Sequence, residues 1–242
     1  MLRYLIVSLL AVFLIGCQTF QSHTSNYPHE RIQWEKQADP NCTGDFCALV
    51  NVDTLVFKNQ PELNRIINQR LLDLADDVAA QSANRTLEAY AADFLASAED
   101  NWQSWLQASF EGQVDDVVSL EFKSYSYTGG AHGNSHHTTL LYDTKKKISL
   151  SLQDLLLPNQ EDAFWELAQK AHLHWLKSKG IEDQASFLQQ WPFQRTNNII
   201  LTDKAIYLDY PAYALAPYSM GNAVLKLPKN MLGKIIKAKY IQ

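Results

Sequence analysis

Residues Tyr127 to His137 read YTGGAHGNSHH, and the fold follows from what stands on either side of them. Gly129, Gly130 and Gly133 supply the backbone freedom that a tight reversal or a close approach requires. Upstream, from Val117 to Tyr127, the pattern has period two. Val118, Leu120 and Phe122 fall on one face, and Glu121, Lys123, Tyr125 and Tyr127 on the other, which predicts a half-buried strand. Downstream, Thr138 to Tyr142 predicts the returning strand, Asp143 to Lys146 a second reversal, and Ile148 with Leu150 a continuation of the sheet.

Further toward the C-terminus, Ser151 stands as the N-cap of a short helix carrying Leu152, Leu155 and Leu156, closed by Pro158. A longer helix is expected from Glu161 to Ser178, with Phe164, Leu167, Ala168, Ala171, Trp175 and Leu176 inward and Gly180 as its stop. His172 and His174 lie two apart on it, so they point apart and make poor joint ligands. A helical turn is expected near Gln184 to Gln190. Asn198–Leu201 and Ala205–Tyr210 then read as a hairpin about Thr202 and Asp203. A Pro/Tyr-rich loop from Pro211 to Gly221, a strand from Ala223 to Leu227 and a helix from about Asn230 complete the chain.

In the other direction, Ala48 to Phe57 predicts a strand, and Pro61 opens a helix with Leu63, Ile66, Ile67, Leu71, Leu74 and Val78 at helical spacing. A second amphipathic helix is expected from Thr86 to Phe110. Its apolar face would hold Leu87, Tyr90, Phe94, Leu95, Trp102, Trp105 and Leu106, the two tryptophans being read as core. The elements together specify an α+β domain, an antiparallel sheet packed against several helices.

The N-terminus carries an address. Arg3 precedes an apolar run from Tyr4 to Ile15, too short to span a bilayer comfortably, and Leu14-Ile15-Gly16-Cys17 resembles a bacterial lipobox. The expected organisation is a signal peptide over 1–16, a lipidated Cys17 with a polar tether over 17–47, and a domain over 48–242. Gln18 after the cysteine, where Asp would favour the inner membrane, points to the outer membrane, with the protein facing the periplasm. Cys42 and Cys47 remain as a pair, read as a local disulfide because two thiols are half of a structural zinc site.

A net charge of −5 with no basic stripe argues against a nucleic-acid partner, and Lys145 to Lys147 read as a solvated loop tip. Hydrophobic residues at 46% and 10 Phe, 11 Tyr and 6 Trp predict a packed domain rather than a disordered chain.

Three blocks of sequence resemble one family. Tyr127-Thr128-Gly129-Gly130-Ala131-His132 is the first, and Tyr142, Asp143, Lys147, Ile148, Leu150, Asp154 and Leu155 form the second. Tyr210, Tyr213, Pro217, Tyr218 and Gly221 form the third. Together they resemble the RsiV-like family, the ectodomain of lysozyme-sensing anti-sigma factors, over Ala48 to Gln242. The same domain type accompanies peptidoglycan deacetylase domains in other secreted bacterial proteins. The chain shows neither the sigma-binding segment of such factors nor a second domain for deacetylase chemistry. The resemblance implies an outer-membrane-anchored, non-enzymatic binding module for a lysozyme-like muramidase or another envelope component such as peptidoglycan.

The candidate binding surface joins the turn, with Thr128, Gly129, Gly130, His132, His136 and His137, to the tyrosine loop, with Tyr210, Tyr213 and Tyr218. Two alternatives stand beside it: a metal-dependent envelope hydrolase centred on His132, completed by Asp143 or Asp209, and a structural envelope lipoprotein. On an extended chain His136 and His137 face opposite ways, so at most one joins His132. No strand-GxSxG-helix elbow and no Walker loop is present, and no cofactor is expected.

Overall fold

The computed structural model describes residues 26–44, 46–75 and 85–241. Cys17 and the stretch read as a signal peptide and lipobox lie outside the described residues. The elements are β1 (His29–Gln37), β2 (Leu49–Phe57), α1 (Pro61–Leu74), α2 (Leu87–Ser97), β3 (Gln103–Val114), β4 (Val117–Tyr127), β5 (Asn134–Asp143) and β6 (Ile148–Leu150). They continue with α3 (Leu152–Leu155), α4 (Glu161–Ser178), α5 (Gln184–Gln190), β7 (Ile199–Leu201), β8 (Ala205–Tyr210) and β9 (Ala223–Pro228). The fold is α+β. A six-stranded sheet runs β1-β2-β3-β4-β5-β6 and a three-stranded sheet runs β7-β8-β9. Every pair is antiparallel except β2–β3, which is parallel because α1 and α2 carry the chain across between them.

The large sheet has one apolar face. Val50, Val52, Leu106, Leu120, Phe122, Leu140 and Tyr142 lie buried there against Leu63, Ile67 and Leu71 of α1 and Leu87, Tyr90 and Ala91 of α2. Thr86 caps α2 by accepting a hydrogen bond from the Ala89 amide. Its opposite face is covered at one end by the small sheet. Val114, Val117 and Leu141 there meet Leu201, Leu208 and Leu225, with α3 and α4 closing the cluster through Leu155, Phe164 and Ala168. Ser119 stitches the two sheets together: its hydroxyl donates to Leu201 O at 2.8 Å and accepts from Leu201 N at 2.9 Å. Gly112 fits closely at this seam, where a Cβ would come within 3.1 Å of Leu201 O and force a small shift. Asp154 closes the entry to α3 by accepting from both the amide and the hydroxyl of Ser151 at 2.8 Å, which holds its carboxyl below the usual range.

Three expectations are corrected. The helix expected over Thr86 to Phe110 ends at Ser97, and Gln103 onward is strand, because pairing with both β2 and β4 outweighs the local spacing of Trp102, Trp105 and Leu106. The polar stretch expected as a tether contributes β1, an edge strand laid antiparallel on β2. The closing helix is replaced by short 3-10 turns at Lys229–Met231 and Ala238–Tyr240, with Ile236 bridging to Leu156. The Cys42–Cys47 disulfide is present, with Cα atoms 5.7 Å apart. Among the described residues no helix is long and apolar enough to cross a membrane.

Inside α4, His172 is buried at 1% exposure beside Trp175 and Phe193, and its Nε2 has no hydrogen-bond partner. Burial pushes its pKa down. A histidine whose folded pKa is depressed gives stability that is present above its unfolded value, about 6.5, and lost as pH falls. Thermal unfolding should therefore show a decline below about pH 6.5, at most about 1.4 kcal/mol per pH unit from this group. His172→Phe should flatten that part of the profile; an unchanged slope would show that His172 does not set it.

Candidate functional site

The uncovered half of the large sheet presents ordered rows, because antiparallel and parallel partners side by side share a face. One row is Glu35, Asn51, Trp105, Tyr125 and Ser135. The next is Gln33, Asp53, Gln107, Lys123 and His137. A third, Ser109, Glu121 and Thr139, leads under the small sheet, where Thr139 Oγ1 accepts from Ile199 N at 2.7 Å.

The first row is aromatic at its centre. Trp105 is 50% exposed and Tyr125 36% exposed, directly opposite one another on β3 and β4. The Tyr125 ring lies over the turn: a Cβ on Gly133 would stand 2.5 Å from it, so any larger residue there would have to push the ring aside. The turn itself is made by Gly129 and Gly130, both at positive φ.

The second row is charged but internally paired. Arg31 grips Asp53 with two hydrogen bonds, Nε to Oδ1 at 2.7 Å and Nη2 to Oδ2 at 2.6 Å, and Gln107 adds a third at 3.0 Å. The guanidinium beside Asp53 holds its carboxyl below the usual range. Lys123 Nζ lies 2.6 Å from Glu121 Oε2. Burial nonetheless pushes the Glu121 carboxyl up, Lys123 opposing that shift and Glu111 and Asp209 adding to it.

At the inner end of this row His137 Nε2 lies 3.2 Å from Asp209 Oδ2, with the two side chains only 6% and 5% exposed. The contact falls short of hydrogen-bond geometry, and both His137 Nε2 and Asp209 Oδ1 are buried without a hydrogen-bond partner. Buried polar atoms are almost always paired, so an unpartnered ring nitrogen beside a carboxylate whose other oxygen is also unpartnered marks a strained or chemically employed spot.

The candidate residues separate. Thr128, Gly129, Gly130, His132 and His136 are exposed on the turn and the start of β5, while His137 turns inward to Asp209. His132 bonds through Nδ1 to Gly133 O at 3.0 Å. Among the described residues no three of His, Cys, Asp and Glu are placed to hold a metal ion, so the centre imagined around His132 does not form. Tyr210 is core, its hydroxyl donating to Gln194 O at 2.9 Å. Tyr213 and Tyr218 are exposed and lie 5.5 Å apart, and Tyr213 stacks on Trp191 at 6.5 Å. Turn and tyrosine loop are thus two patches, and Tyr210 and His137 are not surface residues. Sequence reasoning missed Trp105 by reading it on a helix. The alternation of Ser104, Leu106 and Ala108, all buried, against exposed Trp105 is the signal that marks it.

Residues 43–135 match the family model described as Deacetylase PdaC, and residues 153–230 match that of DUF3298, a protein family of unknown function. The chain is 29% identical over 130 residues to the peptidoglycan-N-acetylmuramic acid deacetylase PdaC of Bacillus subtilis (strain 168), covering 52% of this chain and 27% of that protein. It thus spans about a quarter of the length of that curated relative. A crystal structure of a DUF3298 family member from Bacteroides fragilis NCTC 9343 superposes with a TM-score of 0.63 at 16% identity, over 89% of this chain and 96% of that one, which speaks for the fold alone. These matches correct the RsiV-like resemblance, since the matching families are PdaC and DUF3298. The non-enzymatic lysozyme-binding reading falls with it, the named relative being a deacetylase. A crystal structure of a DUF3298 family protein from Pseudomonas aeruginosa PAO1 matches with a TM-score of 0.78 and 40% identity, over 90% of this chain and 97% of that one, and on that agreement the chain belongs to the DUF3298 family.

Proposed function

We propose that this protein acts on peptidoglycan in the cell envelope, in the removal of acetyl groups from its amino sugars. The observation that carries this reading is the 130-residue similarity to a deacetylase whose name states its substrate. The matched segment 43–135 holds β2, β3 and β4, and with them most of the open sheet face.

Hydrolysis of an acetamide needs a base to draw a proton from water and a donor to receive the charge that develops on the carbonyl oxygen. Acid–base groups on this face gather in the second row. A histidine backed by a carboxylate is the usual form of an oriented base, and His137 with Asp209 has that form. Nε2 faces the carboxylate, both side chains being only 6% and 5% exposed, and Lys123, the cross-strand partner of His137, is a cation on the same face. Attachment through Cys17 to the outer membrane, facing the periplasm, would place the domain beside the peptidoglycan layer.

The test is acetate release from purified peptidoglycan by the full chain, with muropeptides lacking one acetyl group identified by mass spectrometry. Such products are expected with the folded protein and not with heat-unfolded protein; their absence would reject the reading. Labelled palmitate should enter the wild-type chain and not Cys17→Ser in cells, and equal labelling would reject the anchor.

A further inference from the structure

Trp105 and Tyr125 are the large aromatic residues that the described part of the six-stranded sheet leaves most exposed, at 50% and 36%. Trp105 is half exposed although its strand lies inside the six-stranded sheet, between β2 and β4. The two rings share a face as a cross-strand pair in register, and the Tyr125 ring lies against the Gly133 backbone. Around them stand Asn51, Gln107 and Ser135, groups that donate and accept hydrogen bonds without carrying charge, while the row's carboxylate, Glu35, lies at its far end and accepts from Asn51 Nδ2 at 3.3 Å. The neighbouring cations are already neutralised, Arg31 by Asp53 and Lys123 by Glu121.

We propose that this row is a saccharide-stacking subsite for an uncharged, N-acetylated glycan chain. A pyranose ring has an apolar face of C–H bonds and a rim of hydroxyl and acetamide groups. Flat aromatic surface framed by amides and hydroxyls matches that division. A polyanion such as nucleic acid would need free cations where this face has ion pairs. The subsite rests on the peptidoglycan reading above, and it narrows that reading to the sugar backbone of the polymer. The row lies beside the one that ends in His137, with Tyr125 two residues from Lys123 on the same face of β4. Trp105, Tyr125, Asn51, Gln107 and Ser135 all fall within the segment matched to Deacetylase PdaC.

The experiment uses the full chain and an N-acetylglucosamine hexamer, with affinity measured by calorimetry. Trp105→Ala should weaken binding about ten- to a hundredfold, and Trp105→Phe should fall between it and wild type. Gly133→Val, which drives a side chain into the Tyr125 ring without touching Trp105, should also weaken it. Thermal unfolding of each variant separates lost binding from lost folding, and Trp105→Ala is expected to melt close to wild type because half of the ring is already in solvent. Equal affinity of wild type and Trp105→Ala would overturn the subsite while leaving acetate release to decide the wider reading. No hexamer binding together with acetate release would also overturn the subsite alone. Loss of both hexamer binding and acetate release in wild type would overturn both.

Discussion

Asp209→Ala is expected to destabilise the protein by about 3 kcal/mol, because it opens a cavity between the sheets and removes the charge that faces a buried histidine. His137 and Asp209 join β5 of the large sheet to β8 of the small one, and neither side chain has appreciable access to water. Chemical denaturation gives the number directly. A loss of under roughly 1 kcal/mol would show that the pair is no more than adjacent. A double-mutant cycle with His137→Ala should return a coupling of about 0.5–3 kcal/mol, the range for contacting residues. Asp209→Asn separates structure from chemistry. It keeps the shape and loses the charge, so a stable variant without acetate release would place the carboxylate in the reaction. A stable variant with full activity would remove it from the reaction.

Ser119→Ala should rank with it. One hydroxyl serves both the amide and the carbonyl of Leu201, deep between the sheets, and alanine leaves both backbone groups without that partner. Each group stranded in this way costs about 1–3 kcal/mol. Leu201 N is paired by Ser119 from the large sheet, while Leu201 lies in register with Ile206 of β8. Hydrogen exchange should therefore show faster opening in β7, with α1 and β2 protected as before. A melting curve and exchange pattern like wild type would mean that water replaces the hydroxyl at no cost.

What the sequence disclosed was the locally determined part. The strict alternation of Val118, Leu120 and Phe122 with Glu121, Lys123 and Tyr125 fixed β4 to the residue, since only a strand places those sets on opposite faces. Glu161 to Ser178 was equally plain, with Phe164, Ala168 and Leu176 at helical spacing and Gly180 at positive φ beyond the end. β1 was not legible because an edge strand such as HERIQWEKQ needs no fully buried residue and so carries no hydrophobic pattern. β3 was misread because Trp102, Trp105 and Leu106 also fit one face of a helix, and the decision came from strands far away in the chain. The site shows the same division. The glycine turn announced itself, whereas the partner of His137 lies at Asp209, brought there by the stacking of one sheet on another. No spacing rule encodes that contact.

One consequence concerns heredity and the cutting of genes. The first family match ends at residue 135 and the second begins at 153, so the boundary of the first falls two positions inside β5. β5 pairs with β4 from Asn134 opposite Ser126 through to Asp143 opposite Val117. A gene fragment ending at the match would leave nearly the whole outer side of β4 without its neighbour, a long bare edge that invites pairing with other copies. A fragment beginning at the second match would cut α3 after its first residue and carry α4 and the small sheet without Val114, Val117 and Leu141 beneath them. The two matched stretches are therefore not exchangeable parts, and recombination can move this fold between proteins intact only by carrying both stretches with the strands between them.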